Sequence, residues 1–348
     1  MKENIEFICS LPDVGFIGGE TKKNQYLLNF LKKNSNPTIL DVVHYTQKIS
    51  RSNFKILFKT FLLLKCIKSI ISPFSKKIII SLNSKVTYKY LILCYFFNFL
   101  KKDIYYLVVG GSFHKCLGKE FKLKYYKNIN KIYVESKIMK EEIKKKGLYN
   151  VEYLPNFKSF EIKKRLKNKV KLPIKAVFFS RVVKEKGTEL IFNMLKEINK
   201  EKILIKVDFW GPIESEYENE FNKKVKLYID REYRGVLDID KEESYDILSN
   251  YDIMLFPTYW EGEGFPGVII DAFIAGLPVV ASNWNYNKEI LNDKVSFIFE
   301  SKNQQEFTEV IKKIIKNVKI IEVKQLNCFN EAKKYEIDNL LKGKIFKI

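Results

Sequence analysis

A strand, a glycine-rich loop and a short apolar helix follow one another in Ile253-Met-Leu-Phe-Pro-Thr-Tyr-Trp-Glu-Gly-Glu-Gly-Phe-Pro-Gly-Val-Ile-Ile-Asp-Ala-Phe-Ile-Ala-Gly-Leu-Pro-Val-Val-Ala-Ser282. The apolar run 253–256 predicts a buried strand. Pro266 suits the first helical turn, where its missing N–H is harmless, and Gly276 is typical of the residue that ends a helix before a proline. The segment therefore predicts a strand–helix–strand unit of a parallel sheet.

Two carboxylates flank the start of this helix. Glu263 lies on the loop and Asp271 lies more than one turn inside the helix. Carboxylates at this separation could hold different hydroxyls of one polyhydroxylated ligand, and the free N–H groups between them could hold its phosphate. The alternative is a favourable interaction of a carboxylate with the helix dipole.

Strands and helices alternate along the whole chain, which is typical of parallel sheets covered by helices. A lysine-rich stretch, 158–175, separates two such series. We therefore predict two α/β domains, 1–160 and 174–330, joined by a linker, 161–173, and followed by a helical segment, 331–348, that crosses back to the first domain. The predicted strands are Ile5–Cys9, Thr38–His44, Lys77–Leu82, Ile104–Val109, Lys131–Val134, Val151–Leu154, Ala176–Phe179, Ile203–Phe209, Val236–Leu237, Ile253–Phe256, Pro278–Ala281 and Val295–Phe299.

Two more loops follow predicted strands, and ligands of open parallel sheets bind beyond the carboxyl ends of strands. In the first loop, Gly18 and Gly19 precede a helix and permit close approach of an anion, although such a loop is often only a turn. In the second loop, Arg181 and Lys186 precede a helix. A guanidinium and an ammonium placed there would neutralise a diphosphate, whereas the alternative is two solvated cations.

These segments resemble the retaining glycosyltransferases of family 4, which have the GT-B fold. The loop around Glu263 resembles their glutamate-x7-glutamate signature, and Ala-Gly-Leu-Pro-Val-Val-Ala-Ser at 275–282 is similar to members that assemble bacterial polysaccharides. Ser-Arg-x4-Lys-Gly at 180–187 and Tyr233-Arg-Gly-Val-Leu237, ahead of a helix over Lys241–Ser249, fall in the family's order. The resemblance covers about 175–300 and implies two Rossmann-like domains that face each other across a cleft.

The resemblance also implies site residues. Arg181 and Lys186 would bind the diphosphate of a nucleotide-sugar and stabilise its departure without a metal ion, and Glu263 would hold the donor sugar. Asp271, which replaces the usual glutamate, would bind the ribose. The remaining donor-binding residues would be the amides of Gly264, Phe265 and Gly267, the base-pocket residues Val236 and Leu237, and Gly18 and Gly19, which would close over the phosphates from the other domain.

A histidine of the first domain lies near the reacting carbon in that family. The corresponding segment here is Leu107-Val-Val-Gly-Gly-Ser-Phe-His114, in which Gly110 or Gly111 occupies the histidine position. Three interpretations stay open: His114 substitutes as a catalytic residue, it contacts the acceptor, or it is a surface imidazole.

Charge is distributed unevenly. The chain of 348 residues has a formal net charge of +21, and 46% of its residues are hydrophobic, which excludes a wholly disordered protein. Residues 51–150 contain 22 basic and 5 acidic side chains, whereas residues 201–300 contain 10 basic and 20 acidic ones. A lysine-rich composition explains part of the excess, and the asymmetry favours an anionic partner of the first domain.

The basic segment 54–68 helps to identify the anionic partner of the first domain. Its lysines interrupt an apolar, aromatic-rich run at helical intervals, which is typical of a helix at a membrane interface, although an ordinary helix packed on a sheet has the same pattern. Nucleic acid is disfavoured, because only five of the basic residues are arginines and they do not cluster.

Cysteine and histidine usage argues against disulfides and metal. The five cysteines are scattered, which fits a reducing cytoplasm, and the two histidines, His44 and His114, are too few and too far apart in sequence to suggest a histidine-based metal site. The N-terminus has no signal-peptide layout, and the longest apolar run, 90–100, falls short of a bilayer span.

We therefore expect a metal-independent glycosyltransferase of the hexosyltransferase type that needs no cofactor. Its donor would be a nucleotide-sugar, with UDP favoured by the family. Its acceptor would be a saccharide or a polyprenyl-diphosphate-linked glycan of bacterial surface polysaccharide or capsule synthesis, used at the inner face of the cell membrane. The alternatives are a non-catalytic module that binds sugar nucleotides or membranes, an epimerase or phosphorylase on the same scaffold, and a nucleic-acid-binding protein.

Overall fold

The computed structural model describes residues 2–13, 18–42, 55–161, 163, 169–239 and 241–342. The chain divides into two compact units. Unit 1 is Met1–Ser159 together with Glu336–Ile348, and unit 2 is Phe160–Tyr335.

Unit 1 contains a parallel sheet of six strands in the order β2-β1-β3-β4-β5-β6. The central strands β1 and β3 are almost completely buried, which agrees with their continuous apolar sequences. The strands are β1 (Asn4–Cys9), β2 (Asn36–Asp41), β3 (Lys77–Ser81), β4 (Asp103–Leu107), β5 (Lys131–Val134) and β6 (Val151–Tyr153).

Helices connect the strands of unit 1. They are α1 (Gly19–Asn34), α2 (Lys55–Ile71), α3 (Ser84–Phe96), α4 (Phe113–Cys116), α5 (Lys124–Lys127) and α6 (Lys137–Lys145), with a 3₁₀ turn at Asn98–Leu100. Helix α2 corresponds to the predicted segment 54–68 and extends to Ile71, whereas residue 54 lies outside the described residues. No helix in the described part of the chain is both long and apolar enough to cross a bilayer.

Unit 2 contains a second parallel sheet of six strands, in the order β12-β11-β10-β7-β8-β9. Apolar side chains cover both of its faces in two clusters. The strands are β7 (Ile174–Phe179), β8 (Ile205–Trp210), β9 (Arg231–Gly235), β10 (Ile253–Phe256), β11 (Val279–Asn283) and β12 (Ser296–Glu300).

The helices of unit 2 follow the same alternation. They are α7 (Thr188–Ile198), α8 (Ser215–Lys226), α9 (Glu242–Ser249), α10 (Gly267–Ile274), α11 (Asn287–Ile290), α12 (Gln304–Lys316) and α13 (Lys319–Ala332), with 3₁₀ turns at Lys184–Lys186 and Lys333–Tyr335. Helix α10 ends as its sequence predicts, because Gly276 adopts a φ of +67° just after it.

The prediction of a strand at Val236–Leu237 is wrong by several residues. The strand is β9, Arg231–Gly235, and it lies at the edge of its sheet. Charged and partly exposed side chains dominate β9, so apolar periodicity does not reveal it. Gly235 adopts a φ of +91° at its last position, and Val236 then points to solvent with 66% of its surface exposed.

The chain returns to unit 1 after unit 2. A β-bridge joins Lys158 to Glu336, and helix α14 (Ile337–Leu341) packs on α1. Ile337 and Leu341 are buried in the same core as β1, and Asp338 forms an ion pair of 2.8 Å with Lys33.

Candidate active site

Loops after two neighbouring strands of unit 2 carry the main candidate residues. Strand β10 pairs with β7, so the segment after Phe179 and the segment after Phe256 leave the same edge of the sheet side by side. The carboxyl edge of a parallel sheet is where ligands bind. Arg181 and Lys186 lie on the first loop, and Glu263 lies on the second.

The position of Lys186 depends on Gly187. Lys186 ends a 3₁₀ turn, and Gly187 follows with a φ of +80°. A Cβ atom at Gly187 would lie 2.2 Å from the carbonyl oxygen of Pro257, so only glycine fits where the two loops touch. The Tyr259 N–H also donates to the Glu185 carbonyl oxygen at 2.7 Å, which fastens the second loop to the first.

Lys186 and Glu263 form a buried ion pair. The Lys186 ammonium donates to Oε2 of Glu263, and both side chains are almost fully buried. The Thr258 hydroxyl donates to the same Oε2 at 3.0 Å, and the Trp260 N–H donates to Thr258 Oγ1 at 3.2 Å. Among the described residues Oε1 of Glu263 has no hydrogen-bond partner and is not sealed from solvent. This oxygen can therefore accept a hydrogen bond from a ligand.

Arg181 lies at the same loop edge but is exposed. Its guanidinium stacks on the indole of Trp260, 4.9 Å from the ring centroid. The Trp260 carbonyl oxygen accepts a hydrogen bond of 2.7 Å from the indole N–H of Trp284, and the Glu263 carbonyl oxygen accepts one of 3.0 Å from the Asn285 amide. The loop that holds Glu263 is thus braced from the segment after β11.

The other predicted residues of the glycine-rich loop are placed differently. Asp271 lies in α10 with 1% of its surface exposed, and its Oδ1 accepts a hydrogen bond of 3.0 Å from the Tyr245 hydroxyl. Phe265 is buried against the ring of Tyr335, with centroids 5.3 Å apart. Gly264 and Gly267 are half-buried, and Gly267 begins α10, where the first N–H groups have no intrahelical acceptor.

Val236 and Leu237 follow the edge strand β9. Leu237 is half-buried against the cluster that contains Phe256 and Phe265, whereas Val236 is exposed. Nearby, the Tyr233 hydroxyl donates to the Gly211 carbonyl oxygen at 3.0 Å. The predicted role of both residues in a base pocket stays a prediction.

Unit 1 holds Gly18, Gly19 and His114. Gly18 and Gly19 are exposed at the start of α1, where Thr21 Oγ1 accepts from the Gly18 N–H at 3.0 Å, and residues 14–17 of their loop lie outside the described residues. His114 lies in the one-turn helix α4. Partial burial and the neighbouring charges of Lys115 and Lys146 hold the pKa of His114 below its usual value, so its imidazole is neutral at pH 7.

Sequence reasoning missed three residues of this arrangement: Thr258, Trp260 and Asn285. The first two belong to the quoted loop, and their proximity to a predicted site residue was the available signal. Asn285 adopts a φ of +46°, a conformation that asparagine tolerates better than most residues. Within the described ranges no group of three or more His, Cys, Asp or Glu side chains is placed to hold a metal ion.

Comparison with known families gives one sequence match. Residues 157–334 match the family described as glycosyl transferases group 1. No curated protein sequence matches the chain significantly.

Solved structures resemble the whole chain. HepE of Anabaena in complex with UDP is 14% identical, with a TM-score of 0.69 and 97% of each chain covered. The apo form of the lipopolysaccharide outer core galactosyltransferase WaaB is 14% identical, with a TM-score of 0.69 and 96% of this chain and 95% of that chain covered. A variant of S. aureus TarM in complex with fondaparinux, alpha-GlcNAc-glycerol and UDP is 14% identical, with a TM-score of 0.68 and 98% of each chain covered.

At these identities the likeness is one of fold. The two parallel six-stranded sheets of this α/β protein match those of GT-B glycosyltransferases, which confirms the fold class predicted from the sequence.

Proposed function

The chain belongs to the group 1 glycosyl transferases, and on that premise we propose that it transfers a hexose from a UDP-sugar to a saccharide acceptor with retention at the anomeric carbon, as family 4 enzymes do. The observation that carries the proposal is the buried pair of Lys186 and Glu263 at the carboxyl ends of β7 and β10. HepE, which resembles this chain in structure with a TM-score of 0.69, was solved in complex with UDP, and this supports UDP as the nucleotide.

Lys186 and Arg181 supply the positive charge for the departing diphosphate. An ammonium has three donors, and in the described residues Lys186 uses one of them, for Glu263. The other two are directed to phosphate oxygens, and the exposed Arg181 adds a planar fork of donors. Charge that develops on the leaving group is stabilised most by donors that are already in place. Two such cations make a divalent metal unnecessary for this step, and chelation with EDTA should leave turnover unchanged.

Glu263 holds the donor sugar in this proposal. Its Oε2 is occupied by Lys186 and Thr258, which fixes the carboxylate, and Oε1 accepts a hydroxyl of the transferred sugar. The pair thus couples the group that holds the sugar to the group that binds the phosphate. Fixed geometry of this kind lowers the entropy lost when the sugar reaches its reactive position. The ribose contact of Asp271 and the catalytic role of His114 stay predictions.

Donor hydrolysis tests the proposal. UDP-glucose, UDP-galactose and UDP-N-acetylglucosamine are incubated with the full chain, and released UDP is measured. Glu263→Ala and Lys186→Ala should each lose about 10²–10³-fold in turnover. Glu261→Ala and Lys184→Ala are matched controls, because both side chains are exposed on the same loops and should retain activity. Donor binding without turnover by the wild type, with any acceptor, would instead favour the non-catalytic module.

The acceptor is proposed to be a lipid-linked glycan of bacterial surface polysaccharide or capsule synthesis, used at the inner face of the membrane. Helix α2 supports this, because Ile56, Leu63, Leu64 and Ile71 form an exposed apolar stripe that is accompanied by exposed lysines. An amphipathic helix of this composition binds at an anionic interface.

Flotation with vesicles tests the membrane part. The wild type should float with phosphatidylglycerol vesicles at low salt and not with phosphatidylcholine vesicles. Leu64→Glu should weaken binding, whereas Leu227→Glu, a change at an equally exposed leucine of unit 2, should not. If the wild type does not float at low salt, membrane binding is refuted and the proposed glycosyl transfer is unaffected.

A further inference from the structure

Unit 1 contains an apolar pocket that the donor site does not use. Its volume is 270 Å³, and it lies between α2 and α3. Val42, Leu82 and Tyr90 form its buried floor, and its walls include Leu62, Leu63, Cys66, Val86 and Leu93. Val42 and Leu82 immediately follow β2 and β3, so the pocket lies beside the carboxyl edge of the sheet. A pocket there is on the edge where parallel sheets bind ligands.

Two exposed lysines, Lys59 on α2 and Lys89 on α3, line the same pocket. In the described part of the chain neither ammonium forms an ion pair with a carboxylate. The sequence has no acidic residue between Asp41 and Asp103, so the segments that build the pocket bring positive charge alone. The occupant that complements these walls and this charge has a hydrocarbon part and an anionic head.

The size of the pocket selects among such ligands. Pockets that enclose a drug-sized ligand occupy roughly 300–1,000 Å³, and this one is smaller. A sugar ring would also leave its hydroxyls without partners against leucine and valine side chains. A single slender hydrocarbon chain satisfies both conditions.

We propose that the pocket between α2 and α3 binds the hydrocarbon chain of a lipid phosphate, with the phosphate held by Lys59 and Lys89. This inference rests on the proposed function, because it gives the lipid-linked acceptor a binding site for its carrier chain. Leu63 lines the pocket and also belongs to the exposed stripe of α2, so a chain can pass from an interface into the pocket along one helix.

Calorimetric titration of the full chain with octyl phosphate, below its micelle concentration, tests the inference. Octyl phosphate should bind, and affinity should rise from hexyl to decyl phosphate by up to about fourfold per methylene until the pocket is filled. A titration with inorganic phosphate measures binding of the phosphate without a chain, and a titration with octanol measures binding of the chain without a phosphate. Inorganic phosphate that binds as tightly as octyl phosphate, or no binding of octyl phosphate at all, would overturn the inference.

Variants locate the bound chain. Val86→Trp fills the pocket and should weaken octyl phosphate binding at least tenfold, with Leu93→Phe as a milder filler if the first variant does not fold. Phe96→Trp is the matched control, because Phe96 is exposed on α3, lies outside the apolar stripe of α2 and does not line the pocket. An unchanged affinity in a folded filling variant, or an equal loss in the control, would place the chain elsewhere and refute the proposal.

Charge variants complete the test. Lys59→Gln and Lys89→Gln should each weaken octyl phosphate binding by about two- to fivefold and leave octanol binding unchanged. Donor hydrolysis is measured on the same preparations. If the wild type hydrolyses the donor but does not bind octyl phosphate, the lipid phosphate site is refuted and the glycosyltransferase proposal stands. If it binds octyl phosphate but does not hydrolyse the donor, the glycosyltransferase proposal fails and the lipid phosphate site stands.

Discussion

Each unit contains a buried lysine–glutamate ion pair beside the carboxyl edge of its sheet. In unit 1, Lys23 of α1 pairs with Glu135, which follows β5, and the ammonium lies 5.3 Å from the centroid of the Phe157 ring. In unit 2, Lys186 pairs with Glu263, and the ammonium lies 5.5 Å from the centroid of the Phe256 ring. The two pairs are therefore almost equal in burial and in their aromatic neighbour.

What differs is the element that carries each residue. The Lys23 side chain extends from a long helix to the end of a strand, whereas Lys186 and Glu263 both lie on loops at the sheet edge. On the same loop edge as the second pair, Arg181 stacks on Trp260, and of the two Glu263 carboxylate oxygens only Oε2 accepts a hydrogen bond from the described residues. Burial of an ion pair thus does not identify a site. The distinguishing features are the placement of both partners on loops at the sheet edge and the exposed guanidinium of Arg181 on the same edge.

Replacing each pair by apolar side chains should separate the two roles most clearly. A well-packed apolar replacement of a buried ion pair is often close to neutral for stability. Lys186→Met with Glu263→Leu should therefore stay folded and lose about 10³-fold or more in donor turnover. Lys23→Met with Glu135→Leu should stay folded and keep most of its turnover. Released UDP and the melting temperature are measured for both, and an equal loss of turnover in a stable unit 1 variant would contradict the comparison.

Two glycines with nearly the same φ offer a second contrast. Gly187→Ala in unit 2 should lower the free energy of unfolding by about 2–5 kcal/mol, because left-handed backbone strain adds to a clash with the Pro257 carbonyl. Gly147→Ala in unit 1 has a φ of +88° and open space around the new Cβ, so strain alone should cost about 1–2 kcal/mol. Urea unfolding compares them, and equal losses would show that the loop contact adds nothing.

A small pH effect should come from unit 1 through His114. The unfolded chain binds a proton on this imidazole near its usual pKa of about 6.5, whereas the folded protein holds the pKa lower. The contribution of His114 to the free energy of unfolding should therefore decrease as the pH falls below the pKa of the unfolded chain, and should be constant above that pKa. His114→Gln should flatten the melting temperature between about pH 7.5 and about pH 5. A variant with the slope of the wild type would exclude His114 as the cause.

Most of the fold could be predicted because buried parallel strands have continuous apolar sequences. Lys131–Val134 and Ile253–Phe256 coincide with the predicted strands, and most others differ by one or two residues at an end. The predicted strand Thr38–His44 corresponds to β2, Asn36–Asp41, and its last two positions lie outside the described residues. The exception, β9, is an edge strand with three charged residues, of which Glu232 and Arg234 are exposed and Arg231 is buried, so an apolar pattern does not reveal it. Its position depends on pairing with β8, and strand pairing is not a local property.

The site could be predicted in its parts and not in its contacts. Lys186 and Glu263 were identified separately, yet their ion pair joins positions 77 residues apart and depends on how Gly187 meets Pro257. The sequence also did not predict that Asp271 is buried against Tyr245, because α9 and α10 come into contact only in the folded protein. Motif spacing identifies which residues matter, and packing decides which of their atoms remain available.

The bridge between Lys158 and Glu336 has a practical consequence for anyone who wishes to express the halves separately. Unit 2 is continuous in sequence and is inserted within unit 1, so no single cut yields two complete pieces. A fragment that stops at Tyr335 would lack Ile337 and Leu341 and would expose the part of the unit 1 core that these side chains cover beside α1. Dissection of this protein should therefore excise the inserted unit and rejoin the flanking chain with a short linker, rather than truncate either end.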